Sequence, residues 1–381
     1  MGRAERGGDV SRIDLRRGAL HVGCWLDVAP TLEAGCAALA IVDGPYNMRK
    51  AEWDCFASWD AFRDWYEPQV VALGRVLAAS ATVYLWGSDE SAGELRPLMR
   101  RLGWEYLGRV TWDKVSPPVL KSAPEDLRRW PDVTEVADVW GREAWTGPSS
   151  AGAAIGYAAG ADERNWIRTW LCEEWTSAAL RRRQADEALG TNGMAGHYFQ
   201  ASQWSLPTWD AYARLAAVAA EHGPPRERPY FVHPAVLGGA SHDHLRAEYD
   251  HLRAEYEAIR RPFSLPAGVT NIWDAPTPGG RERLLINGEA HPCQKPLAFY
   301  DRMIRASSRP GDLVVEPFGG TCRAAVACER LLASEMRRYV CVEADARYVE
   351  AVLPQLRTAP ETTATVLQPS LFRAREVAHG S

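Results

Sequence analysis

Asp43-Gly44-Pro45-Tyr46 stands where a hydrophobic run stops, and these residue types can do chemistry there. The run "LAIVD" (39 to 43) reads as a buried strand, and in an open α/β sheet ligands bind beyond the carboxyl ends of the strands. A carboxylate and an aromatic ring delivered to that place can hold something flat and polar. Taken alone, the same tetrapeptide is equally a Gly-Pro turn with Asp as a local cap. A second such point lies near the other end of the chain. "DLVVEPF" (312 to 318) is a buried strand that runs into a glycine-rich turn, Phe318-Gly319-Gly320-Thr321. A turn of that kind lets a ligand approach the backbone closely, and an acid at the end of the next strand can accept both hydroxyls of a ribose. Glu343, in "RYVCVEA" (338 to 344), occupies that position.

The elements that must position these residues alternate along the chain. Strands are predicted at 19–23, 39–43, 81–87 and 106–112, with a helix over Phe62 to Leu77 that Pro68 kinks or breaks. A helix from Cys322 to Ser334 separates the last two strands. Alternation of this kind predicts a parallel, doubly wound α/β sheet. Residues 116–285 differ, with prolines at 117, 118, 124, 131 and 148 and a Gly/Ala-rich stretch over 149–161. They read as an inserted, mainly helical domain between two halves, 1–115 and 286–381. Within the insert, "HLRAEYD" (244 to 250) is repeated at once as "HLRAEYE" (251 to 257), placing Leu245 with Leu252 and Tyr249 with Tyr256 on one helical face. That period fits either a packed amphipathic helix or a short coiled-coil seam, and the seam hints at a homodimer.

Composition bounds the rest. The 381 residues are 46% hydrophobic and 24% charged, which suits a soluble globular chain. No apolar run reaches the length of a membrane span and the start has no hydrophobic signal core, so a cytoplasmic protein is expected. The eight cysteines form no CxxC pair and have no histidine partners at metal spacing, so neither a zinc site nor a disulfide framework is expected. A net charge of −5 leaves room for local cationic patches, here Lys121, Arg128-Arg129 and Arg181-Arg182-Arg183. Each patch is read either as a contact to phosphates or guanine edges or as solvated surface. Most of the 16 tryptophans are expected in core or interface.

Together with "HPCQKP" (291 to 296), the two motifs resemble the S-adenosylmethionine-dependent DNA amino-methyltransferases, which modify adenine N6 or cytosine N4. That family's catalytic motif is Asp/Asn/Ser-Pro-Pro-Tyr/Phe, and its cofactor motif is Asp-Pro-Phe-x-Gly-Ser-Gly, preceded by His-Pro-x-Gln-Lys-Pro. The catalytic motif comes first here and the cofactor motif last, which is similar to the family's β arrangement. The resemblance covers about 18–115 and 285–355, and "EYDHLRAEYEAIRRPF" is similar to a segment of bacterial and phage members. It implies a Rossmann-like methyltransferase sheet with circularly permuted motif order and an inserted target-recognition domain. It also implies double-stranded DNA as partner, S-adenosylmethionine as cofactor, no metal and a flipped-out base stacked on Tyr46. Asp43, Gly44, Pro45 and Tyr46 would be catalytic; Glu316, Pro317, Phe318, Gly319, Gly320, Thr321 and Glu343 would bind cofactor, with Lys295 near its methionine carboxylate. An Asp at the head of the catalytic motif implies adenine N6, with cytosine N4 and a catalytically inactive DNA-binding relative as alternatives.

Three departures bear on that expectation. Gly44 replaces the first proline, which keeps a backbone carbonyl and loosens the loop. Glu316 replaces Asp, and Thr321-Cys322 replace Ser-Gly, so that a Cys322 side chain is expected to crowd the methionine part of the cofactor. "Pro-Cys-Gln" (292 to 294) also matches the nucleophile motif of cytosine-C5 methyltransferases, but there it follows the cofactor motif and is joined by a Glu-Asn-Val that this chain lacks. Cys293 is therefore not expected to be a nucleophile.

Overall fold

The computed structural model describes residues 10–115, 130, 132–141, 158–199 (except 194), 206–232, 242–266, 268–286, 288–291 and 293–359. Its strands are β1 (Ser11–Asp14), β2 (Gly18–Val22), β3 (Ala37–Val42), β4 (Leu77–Gly87), β5 (Glu105–Asp113), β6 (Thr134–Gly141), β7 (Ile272–Asp274), β8 (Leu285–Ile286), β9 (Glu289–Ala290), β10 (Leu313–Glu316) and β11 (Arg338–Glu343). Nine of them form one sheet in the order β1-β2-β11-β10-β3-β4-β6-β5-β7, while β8 and β9 pair separately. The centre, from β2 through β11, β10 and β3 to β4, is parallel. The sheet as a whole is mixed rather than parallel. β6 runs antiparallel to both β4 and β5, and β1 antiparallel to β2.

Side chains alternate across this sheet, and each strand divides its apolar residues between two cores. Leu39, Ile41, Tyr84, Trp86, Val314, Tyr339 and Cys341 face one side, where the helices Leu297–Ser307, Arg323–Arg330 and Ala346–Arg357 add Phe299, Met303, Ala325 and Val349. Ala40, Val42, Val83, Leu85, Val315, Val340 and Val342 face the other, where the helices Trp59–Val76 and Asp89–Arg101 add Phe62, Tyr66, Leu73 and Leu98. Two-sided burial explains the near-continuous apolar runs of the central strands. The helix Trp59–Val76 starts at a cap in which Ser58 accepts from the Ala61 N–H, and it continues through Pro68 instead of ending there. Asp138, buried on β6, accepts from Arg96 (2.7 Å) and Arg109 (2.9 Å), tying the helix Asp89–Arg101 and β5 to the antiparallel strand.

The chain divides into two compact units, residues 1–155 with 261–381, and residues 156–260. β6 and β7 belong to the large sheet although both fall within 116–285, so the small unit is shorter than the span predicted for the insert. Its regular elements among the described residues are all helices, and Ile167, Leu171, Trp175, Tyr212, Leu215, Phe231, Tyr249 and Leu252 form its core. Buried Glu174 accepts from the Phe231 N–H at 2.7 Å and pairs with Arg226 and Arg228. The duplicated heptads lie on the helix His242–Ile259. Leu245, Tyr249, Leu252 and Tyr256 pack into the unit's own core, so the repeat serves an intramolecular face. Leu252→Ala should therefore cost about 2–5 kcal/mol, as for a buried Leu in a core that relaxes only in part. Urea unfolding followed by tryptophan fluorescence reads that loss; a changed oligomeric mass in light scattering at unchanged stability would contradict it.

Candidate active site

Strand direction decides which residues meet. The parallel strands put the carboxyl ends of β2, β3, β4, β10 and β11 on one edge of the sheet, and the antiparallel β6 brings its amino end to the same edge. Asp43 follows β3, the glycine turn follows β10, Glu343 ends β11, Glu135 begins β6 and Lys114 follows β5.

Asp43, Tyr46, Lys295 and Glu135 form one cluster there. The Lys295 ammonium donates to Asp43 Oδ1 (2.6 Å), Asp43 Oδ2 (2.7 Å) and Tyr46 Oη (2.8 Å). It also pairs with Glu135 Oε2 at 3.2 Å, and Lys114 holds Glu135 Oε1 at 3.0 Å. Tyr46 Oη donates to Asp43 Oδ1 at 2.6 Å. The Lys295 side chain is fully enclosed, whereas that of Asp43 keeps 14% exposure. Burial holds the Asp43 carboxyl above the usual carboxylate range, an effect that Lys295 opposes. Burial works against the Lys295 ammonium too, but Asp43 and Glu135 outweigh it and its pKa is raised. For Glu135 burial is outweighed by Lys295 and Lys114, and its pKa is lowered.

Lys295, which the resemblance places near a cofactor carboxylate, is bonded to Asp43 in this structure. Tyr46, which the resemblance makes a stacking partner for a base, is 8% exposed and its hydroxyl bonds within the cluster. Cys293 lies beside these groups, and burial pushes its thiol up to about 11, which leaves no thiolate at neutral pH.

The loop carrying Asp43 is pinned by residues that sequence motifs did not single out. Buried Asp54 accepts from the N–H groups of Tyr46 (2.6 Å) and Asn47 (2.8 Å) on one oxygen, and from those of Met48 (3.0 Å) and Lys50 (3.1 Å) on the other. Tyr66, from the helix Trp59–Val76, donates its hydroxyl to the Pro45 carbonyl at 2.9 Å. A Cβ at Gly44 would lie 2.5 Å from that hydroxyl and 3.0 Å from the Phe318 ring. Space, not flexibility, is thus what glycine provides at position 44. Phe318 in turn packs on Trp65 (5.5 Å between centroids) and Tyr66 (6.3 Å).

At the second motif the Gly319 N–H donates to the Val342 carbonyl (2.7 Å) and the Gly320 N–H to Glu343 Oε2 (2.5 Å). The Asp345 N–H holds the other Glu343 oxygen at 2.8 Å. Gly320 has φ +51°, and a Cβ there would lie 3.2 Å from His291 Nε2, so the turn requires glycine. Pro317 and Thr321 are buried. Cys322 takes the left-handed φ of +48° that suits glycine, but its side chain is fully buried in the core beneath the turn and does not crowd the outer face. Glu316 is also turned inward. Its Oε2 accepts from the Cys341 thiol (3.0 Å) and the Ala324 N–H (3.2 Å), and burial pushes its carboxyl up to about 8. It supports the turn from inside.

Lys121, Arg128 and Arg129 lie outside the described residues, as does the Arg182 side chain. Arg181 is exposed, and Arg183 is exposed and paired with Glu187. Among the described residues no group of three His, Cys, Asp or Glu side chains is arranged to hold a metal ion, and no helix is long and apolar enough to cross a membrane.

The Glu316 environment sets a pH dependence. In the folded chain its carboxyl keeps a proton up to about pH 8, whereas the unfolded chain releases it near 4.5, so stability falls as pH rises from about 4.5 to about 8. Glu316→Gln removes this term. Thermal melts of the variant and the parent should diverge in favour of the variant across that window, and parallel curves would rule the buried acid out as the cause.

Comparison with known proteins agrees with the motifs. Residues 220–354 match the sequence profile of a DNA methylase family. The chain is 37% identical over 99 residues to the DNA adenine methyltransferase YhdJ of Escherichia coli (strain K12), a stretch covering 26% of this chain and 31% of that protein. It is 37% identical over 70 residues to the type II methyltransferase M.HpaI of Haemophilus parainfluenzae, 18% of this chain and 21% of that one. The chain thus spans about a third or less of the length of these curated relatives. The solved PvuII DNA methyltransferase (cytosine-N4-specific) aligns over 92% of this chain and 89% of its own, at 14% identity and a TM-score of 0.49. In the matched segment and the stretches shared with these relatives, the chain is similar to the N6/N4 DNA amino-methyltransferases.

Proposed function

We propose that the chain methylates the N6 amino group of adenine in double-stranded DNA, using S-adenosylmethionine. One observation carries the reading: the Asp43 carboxylate, the glycine turn and Glu343 stand on the same edge of a single sheet. The turn suits a nucleoside cofactor, because glycines leave its backbone without side chains and Glu343 ends the adjacent strand. When bound there, S-adenosylmethionine supplies an electrophilic methyl group. An exocyclic amine has its lone pair delocalised into the ring, and hydrogen bonds from the amine to Asp43 and the Gly44 carbonyl localise it. Asp43 then stabilises the positive charge that develops on nitrogen. The Tyr66 hydroxyl commits the Pro45 carbonyl and Asp54 holds the following N–H groups, so the acceptors need little reorganisation. A paired base cannot reach this edge, so it must be flipped out. Recognition is assigned to the part of 116–285 outside β6 and β7, with Lys121, Arg128, Arg129 and Arg181 to Arg183 as groups for phosphates and base edges. Adenine is favoured over cytosine N4 by the acid at the head of the motif.

The test is methyl transfer to DNA with the product nucleoside identified by mass spectrometry. Asp43→Ala should cost on the order of 10² to 10³ in rate while calorimetry shows cofactor binding nearly intact. Cys293→Ser should keep most of the activity. N4-methylcytosine as product would replace adenine in this reading, and 5-methylcytosine together with an inactive Cys293→Ser would end it.

A further inference from the structure

Lys295 raises a difficulty for the proposed reaction. Its ammonium covers both oxygens of Asp43, and Tyr46 takes a third hydrogen bond to the same carboxylate. An incoming amine needs one of those oxygens. A cation 2.6 Å from the carboxylate also opposes the positive charge that develops on the amine nitrogen. Nor can Lys295 simply let go, because a fully enclosed ammonium without a partner carries a large desolvation penalty.

Resting on the reading above, we propose that Glu135 is a positioning residue that offers the Lys295 ammonium an alternative anion, so that it can leave Asp43 when an exocyclic amine arrives. Glu135 Oε2 is already 3.2 Å from the ammonium, so the exchange needs a small displacement and never leaves the charge unpaired. Lys114 fixes the other Glu135 oxygen at 3.0 Å and keeps this anion in place. The composition points the same way. Only four of the 44 lysines and arginines are lysine, and two of those four meet at Glu135. In a chain that otherwise uses arginine, a compact ammonium with three rotatable donors suits a charge that must change partners, whereas a planar guanidinium fork does not.

The groups that face Lys295 are Asp43 and Tyr46 from the loop after β3, the Trp86 ring on β4 at 5.0 Å, Glu135 on β6 with Lys114 behind it, and Cys293 and His291 from its own segment. Glu135 raises the pKa of both Asp43 and Lys295, so its loss must lower both. A residue that only held the fold would change the amount of active protein and leave the pH profile in place.

The experiment compares the full-length chain with Glu135→Gln. The kcat for DNA methylation should fall about tenfold or more, cofactor affinity should stay within about twofold, and both limbs of the pH profile should move down by about one unit. The Lys295 ammonium is titrated in parallel by NMR with labelled lysine and no substrate, where four lysines give a simple spectrum. Its pKa should fall in the variant. A wild type that transfers no methyl group to DNA overturns the reaction, whereas an unshifted Lys295 titration overturns the role of Glu135 whatever the activity. A loss of rate with unmoved limbs also overturns it. Should Glu135→Gln fail to fold, Lys114→Gln at the more exposed end must raise the Lys295 titration, since Glu135 then loses its competing cation; an unmoved titration counts against the proposal.

Discussion

An ammonium sealed from water has to be surrounded by anions, and that requirement organises this sheet edge. Lys295 comes from the segment before the helix Leu297–Ser307, Asp43 from the loop after β3 and Glu135 from the start of β6. These three stretches are far apart in sequence, and the topology is what lets them meet. Had β6 run parallel to β4, Glu135 would stand at the opposite edge and Lys295 would face Asp43 alone. The antiparallel strand is therefore a requirement of the charge cluster as well as a packing arrangement. Breaking such a set by removing one member strands the others, which is why buried ion clusters hold geometry more firmly than they add stability.

Around this charged centre the supporting interactions are mostly backbone ones. Asp54 collects four N–H groups with one carboxylate, and Glu343 collects two. Each fixes a loop that has no regular hydrogen-bond ladder, where unpaired buried amides would otherwise be costly. The two motifs are thus held by the same device: an acid that closes a loop from within. Glu316, protonated and turned inward, supports the glycine turn from beneath.

Much of the frame was legible in the sequence, because short continuous apolar runs and glycine or proline punctuation are local signals. The strands at 39–43, 81–87, 106–112, 312–318 and 338–344 lie within a few residues of β3, β4, β5, β10 and β11. β6 falls in the span read as a mainly helical insert, so the strand, its antiparallel direction and with them Glu135 were missed; strand direction is in any case not a local signal. Tyr66 was noticed as part of a helical apolar face, but nothing in that pattern says that its hydroxyl reaches the Pro45 carbonyl. Asp54 sits in "AEWDCF" with no pattern to mark it. Lys295 was assigned from resemblance to a cofactor carboxylate, and only the folded path of the chain brings it to Asp43. The duplicated heptad shows the converse, since a correct periodicity left open whether the partner face belonged to the same chain.

Gly44 and Tyr66 also constrain how this sequence can drift. The hydroxyl of one fills the volume that a side chain on the other would need. A proline at 44, as in the family's usual motif, would require that hydroxyl to shift. Removing the hydroxyl first gives up the bond that steadies the Pro45 carbonyl before anything replaces it. The two positions are therefore coupled, by sterics in one direction and by a lost hydrogen bond in the other.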